Sequence, residues 1–208
     1  MKFSTRDLVY IAIFGALWGL LEITIGSYLH VLFPPLADTF LVGVIMGSLG
    51  ILTSLVGRRF VPKAGAVLMM AVIAMLLKAL SLGGVTLGPM LAILMEGLLM
   101  ELGLLAWRGQ SPWSFALAGA LAVSWNFFHK FVMMRLLYGT AIVEVALKMA
   151  KDGAKMLGMD PSAVALILGV LFVVRFIVGA LAGWAAWGIG LAVAGRRAQR
   201  FETGDMAH

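Results

Sequence analysis

LVYIAIFGALWGLLEITIGSYLHVLF, Leu8–Phe33, is apolar for longer than the roughly 20 residues that a helix needs to cross a bilayer. A single acid, Glu22, interrupts it. Ala12 and Ala16 stand one helical turn apart in this stretch, with Gly15 and Gly19 beside them. In lipid, a small-xxx-small face lets another helix approach closely. The stretch is therefore read as a first membrane helix with a docking face at Ala12, Ala16, Gly15 and Gly19. The charged start, Met1 to Asp7, resembles that of a signal peptide, but the apolar run behind it is too long. It is expected to remain as an uncleaved first helix.

The same character extends along the chain. Of its 208 residues 62% are hydrophobic and only 12% charged, with a mean hydropathy of +1.03. A soluble domain would be about half apolar and about one quarter charged. The net charge of +6 does not point to nucleic acid, because the cations punctuate the ends of apolar runs. The absence of cysteine excludes disulfides, thiolate metal sites and a thiol nucleophile. There is no Gly-x4-Gly-Lys-Ser/Thr phosphate loop, no His-Glu-x-x-His zinc pair and no nucleophile elbow. No catalytic residue, metal or cofactor is predicted, and uphill transport would draw on an ion gradient or on another subunit.

The fold predicted is an all-α, six-helix membrane bundle forming a single domain over 1–208, with spans at about 8–33, 36–56, 61–82, 87–107, 113–138 and 162–194. Pro34-Pro35 breaks the first connection, Gly83-Gly84 with Gly88-Pro89 the third, and Asp160-Pro161 opens the sixth span. Lys2 and Arg6, then Arg58, Arg59 and Lys63, then Arg108, then Arg196, Arg197 and Arg200 fall at alternate ends. Placing them all inside puts both termini in the cytoplasm of a multi-pass cell-membrane protein. The connections near His30, Gly84 and 139–159 then face outward.

The last of these is expected to be an amphipathic helix over about 141–157, lying on the outer surface as a lid or as an interface helix. Ile142, Val145, Ala146, Met149 and Met156 share one face, and Glu144, Lys148, Lys151, Asp152 and Lys155 the other.

Ionisable groups at membrane depth are costly and mark candidate sites. Glu22 lies in the outer half of span 1, Glu96 and Arg175 lie near the middle of spans 4 and 6, and Glu101 lies deeper. Five residues apart, Glu96 and Glu101 point roughly 140° from one another and cannot form one carboxylate pair. Span 5 is densest: Trp125 and His129, and Asn126 and Lys130, form adjoining i,i+4 stripes flanked by Phe127 and Phe128. Aromatic planes with a few hydrogen-bonding groups suit a flat polar heterocycle. The predicted pocket is Trp125, Asn126, His129 and Lys130, closed by Glu22 or Glu96 and by Arg175. The competing reading of Glu22, Glu96, Arg175 and Lys130 is an internal ion-pair network. Lys78 and Arg135 are expected to snorkel to the surface.

Six helices, both ends inside, no ATPase and an Ala12-x-x-x-Ala16 face resemble the S component, the substrate-binding membrane subunit, of energy-coupling factor (ECF) vitamin transporters. A closer resemblance, to the YkoE-type thiamine and hydroxymethylpyrimidine permeases, rests on three stretches. These are Arg58-Arg59 leading to Pro62-Lys63-Ala64-Gly65-Ala66, Gly97-Leu-Leu-Met-Glu101, and Arg175-Phe-Ile-Val-Gly-Ala-Leu-Ala-Gly183. Helix 3 departs from that pattern, with Met69-Met70 in place of an acidic residue. The resemblance implies a non-enzymatic, high-affinity binding subunit of an importer. Its partners would be membrane lipid, a vitamin-like small molecule, and a transmembrane coupling subunit with paired ATPases that docks on the Ala12–Ala16 face. The residues alone leave two alternatives: a self-sufficient ion-coupled carrier, with Glu96 as its titrating carboxylate, and a non-transporting scaffold.

Overall fold

The computed structural model describes residues 2–32, 40–80, 87–109 and 111–205, and all regular structure among them is helical. The helices are α1 (Thr5–Leu32), α2 (Val42–Phe60), α3 (Ala66–Ala79), α4 (Leu87–Leu105), α5 (Pro112–Tyr138), α6 (Ile142–Leu157) and α7 (Val164–Asp205). The connections at Pro34-Pro35 and Gly83-Gly84 lie outside the described residues.

Five helices, α1, α2, α4, α5 and α7, are long and apolar enough to cross a membrane. The third span is shorter than the sequence pattern predicts. Pro62 and a left-handed Gly65 (φ 87°) hold the chain off a helical path until Ala66. The 14 residues of α3 cover about 21 Å, against a hydrocarbon core of about 30 Å. The second span ends later than predicted, so Arg58 and Arg59 lie inside the last turn of α2. Asp160-Pro161 does not open the last helix directly. Asp160 Oδ1 accepts from the Ser162 amide at 2.8 Å, and α7 begins at Val164. That bond, to an exposed carboxylate, holds the Asp160 carboxyl below its ordinary range.

Local signals fix the ends. Ser4 and Asp7 cap α1 reciprocally, the Asp7 amide donating to Ser4 Oγ (3.2 Å) and the Ser4 amide to Asp7 Oδ2 (2.7 Å). Lys63 then pairs with Asp7 at 2.6 Å, tying the α2–α3 connection to that end. Ser111 caps α5 ahead of Pro112, and Gly139 ends it at φ 65°.

The helices close into a circuit whose spatial order differs from chain order: α1 packs on α3, α3 on α4, α4 on α5, α5 on α7, α7 on α2 and α2 back on α1. Contacts from α2 also reach α5. The core inside this circuit holds Trp18, Ile51, Leu55, Val67, Met100, Phe115 and Val123. Backbones touch where side chains vanish. A Cβ at Gly183 would collide with the Phe115 carbonyl, and one at Gly119 with the Gly179 carbonyl, so α5 and α7 lie backbone to backbone. A Cβ at Gly97 would likewise collide with Ala71, seating α4 on α3.

The predicted amphipathic helix is present as α6, packed on α7 and α5. Its buried set is Val145, Met149, Ala150, Gly153 and Ala154, shifted toward the C-terminus from the predicted stripe, while Ile142 is exposed. The cause is Gly153, which lets the later turns settle on Ile167 and Leu171 of α7.

Candidate ligand chamber inside the helix circuit

Asn126 organises the interior. From α5 its Nδ2 donates to Glu96 Oε1 of α4 at 2.7 Å and to the Gly43 carbonyl of α2 at 3.1 Å. The α2 surface makes room with Gly43-x-x-x-Gly47. A Cβ at Gly47 would stand 3.1 Å from Asn126 Nδ2, and one at Gly43 3.2 Å from Asn126 Cβ. Glu96 is 4% exposed, and its Oε2 is buried without a hydrogen-bond partner among the described residues.

Glu22 of α1 is buried nearby, close enough for its charge and that of Glu96 to act on each other. Lys78 of α3 does not snorkel outward. Its Nζ donates to the Glu22 carbonyl at 2.9 Å, and its charge acts on the Glu22 carboxylate. The position a Cβ would take at Gly26 lies 3.9 Å from both Glu22 Oε2 and Lys78 Nζ. Trp18, fully buried one turn before Glu22, completes the α1 side. Lys78, Trp18 and the Gly43–Gly47 groove were missed as site residues. The last had a signal in its small-residue spacing, whereas Lys78 near the end of an apolar helix reads equally well as a snorkelling cation.

The aromatic part of the α5 stripe is assembled as predicted by its spacing. The Trp125 and His129 rings lie 6.0 Å apart, and Trp125 Nε1 and His129 Nδ1 are buried without partners among the described residues. His129 Nε2 approaches α4 at Gly88, 3.9 Å from where a Cβ would stand. Lys130 is half-buried on the same turn. α5 thus carries an indole donor, an imidazole and an ammonium group within two turns, and Asn126 ties the Glu96 carboxylate of α4 to the same stretch.

Arg175 of α7 lies among aromatic rings. It is 2% exposed, with its guanidinium 4.6 Å from the Phe40 ring and 5.9 Å from the Phe127 ring, and its Nη1 donates to the Leu171 carbonyl at 3.3 Å. These contacts are with aromatic faces and backbone. Phe127 follows Asn126 by one residue, about 100° round the helix, so it turns toward α7 and takes Arg175 with it.

Glu101 is a capping group. Its Oε1 accepts from the Val67 amide at 2.7 Å, supplying from α4 the N-terminal partner that Gly65, which has no side chain, cannot give α3. Its charge also acts on Arg58, whose Nη1 donates to the Val61 carbonyl at 2.9 Å. The Gly97–Glu101 and Gly179–Gly183 stretches, which carried the family resemblance, are accounted for here by packing and capping.

The proposed docking face divides. Ala12 is exposed and Ala16 half-buried, on a side of α1 that also exposes Val9, Ile13 and Leu20. Gly15 and Gly19 are buried against α3, where added Cβ atoms would stand 2.9 Å from Ile73 Cβ and 2.8 Å from Leu77 Cβ. Those two glycines serve the bundle itself, and a partner helix on this side would meet Ala12 and Ala16.

Among the described residues no three His, Cys, Asp or Glu side chains group as a metal site. No protein-family model, curated protein or solved structure matches this chain.

Proposed function

We propose that this chain is a substrate-binding membrane subunit of the ECF importer type, taking a vitamin-like heteroaromatic solute into the chamber between α1, α2, α4 and α5. The observation that carries this reading is the set of buried polar atoms left without partners among the described residues, Glu96 Oε2, Trp125 Nε1 and His129 Nδ1, with Glu96 held to α5 by Asn126. A buried polar atom without a partner costs about 1–3 kcal/mol, so a ligand that supplies the partner recovers that cost on binding. Trp125 offers a ring for stacking, and Glu96 accepts from a ring amino group. The exposed Ala12–Ala16 side of α1 is the face for the coupling subunit, and both termini lie in the cytoplasm.

The test is calorimetric titration of the purified chain with thiamine and with hydroxymethylpyrimidine. Trp125→Ala and Glu96→Gln should each weaken binding at least about tenfold, the loss of one buried contact. Normal binding by both variants places the pocket elsewhere. Two buried carboxyl groups, Glu22 and Glu96, whose charges act on each other favour one other reading, an ion-coupled carrier with a carboxylate site inside the bundle. Uptake by the purified chain alone in vesicles bearing a proton gradient would establish that reading over the first.

A further inference from the structure

A second space lies on the outside of the helix circuit, beneath α6. It is an open groove of about 340 Å³ between α5 and α7, lined by Phe127, Phe131, Ala146, Leu168, Gly169 and Phe172, with no polar atom in its lining. Phe127 and Phe172 meet edge to face at 5.7 Å and form its inner end. Where Gly153, Gly179 and Gly183 each receive a neighbouring helix, Gly169 has no atom within 4 Å of the position its Cβ would take. A glycine inside a helix weakens it relative to alanine. Here the missing side chain lowers the floor of a groove that no described side chain fills.

The surroundings identify the occupant. Phe128, which also lines the groove, is exposed, and so are Val132 of α5, Leu166 and Val173 of α7, and Ile142 and Leu147 of α6, all apolar and on the same three helices. The groove is thus continuous with the apolar surface that two membrane-spanning helices turn to lipid. A peptide or polar solute would find no partner for its hydrogen-bonding groups in such a lining, and would pay for their burial. A hydrocarbon chain has none to bury, and one that fits the groove makes the dispersion contacts that an empty apolar space forfeits.

We infer that this groove holds one acyl chain of a membrane phospholipid, seated on Gly169 and covered by the first turns of α6. The lipid is then part of the support for α6: the later turns pack on α7 through Gly153, and the first turns rest on the acyl chain. It also backs Phe127, the ring whose environment includes Arg175.

The full chain, reconstituted in vesicles of phosphatidylethanolamine and phosphatidylglycerol and then released for native mass spectrometry, tests this. The wild type should retain one phospholipid. Gly169→Leu, whose Cβ meets no described atom within 4 Å and whose side chain occupies the floor, should lower retention at least about tenfold, through the loss of packing contacts along the acyl chain. Gly188→Leu, on the same helix, also with nothing within 4 Å and outside the groove, should retain lipid like the wild type. Ala146→Phe closes the groove from the α6 side and should behave as Gly169→Leu does, covering the case in which one variant folds poorly. Absence of phospholipid from the wild type overturns the inference, as does a detergent molecule as the only adduct. Undiminished retention in both groove-filling variants overturns it as well.

Discussion

At the scale of single residues, the absence of a side chain decides as much as its presence. Asn126 can hold Glu96 and the Gly43 carbonyl together only because α2 presents glycine at 43 and 47. Gly183 does the same for a whole interface, since any Cβ there would collide with the Phe115 carbonyl. Gly183→Ala should therefore destabilise the bundle by about 1–3 kcal/mol, the usual cost of overpacking. Gly188→Ala, with open space at its Cβ, should leave stability unchanged or raise it slightly. Thermal unfolding of both variants in detergent checks the pair, and equal midpoints would contradict the backbone contact. What the sequence conveyed at this scale was residue type and depth. It singled out Glu96, Asn126, Trp125 and His129 as polar groups at membrane depth, but the partners of Lys78 and Arg175 depended on which neighbour each helix meets. Helical spacing carries no such information.

At the scale of elements, α1 has two small-residue faces with different uses. One, at Gly15 and Gly19, is closed against α3, and the other, at Ala12 and Ala16, is the one still open to a partner. Ala12→Leu with Ala16→Leu should leave the melting temperature and ligand binding of the isolated chain unchanged while abolishing uptake in cells. Gly15→Leu with Gly19→Leu should instead destabilise the isolated chain by several kcal/mol, at about 1–3 kcal/mol per overpacked site. If the alanine pair also destabilises the isolated chain, that face belongs to the bundle too. The four residues are adjacent in the sequence, and only the position of α3 separates their roles. The amphipathic pattern of 141–157, by contrast, was legible because charged and apolar residues alternate there with helical period. Its buried stripe still moved, because Gly153 sets how closely α6 can settle on α7.

At the scale of the whole molecule, hydropathy and the placement of Lys and Arg revealed a helical membrane bundle, but not its circuit. Apolar periodicity shows that a helix is buried and is silent on the order of neighbours. α2, for instance, packs on both α1 and α7, while α3 takes the other side of α1. The short α3 was foreshadowed by Pro62 and Gly65, whose effect is local. The absence of cysteine makes orientation directly measurable. A single Lys151→Cys, on the exposed side of α6, should react with a membrane-impermeant maleimide in intact cells. Labelling that appears only after lysis would invert the proposed topology and place α6 in the cytoplasm.

The circuit also has a consequence for how the protein comes into being. Helices emerge from the ribosome in chain order, and N-terminal parts of a chain assemble first. Until α7 arrives, α2 and α5 each lack their largest shared neighbour, and the assembly is an unclosed crescent with glycine-lined backbone turned outward. α7 is thus the helix that seals the circuit, and a nascent chain halted before Val164 would present the membrane quality-control machinery with an open seam.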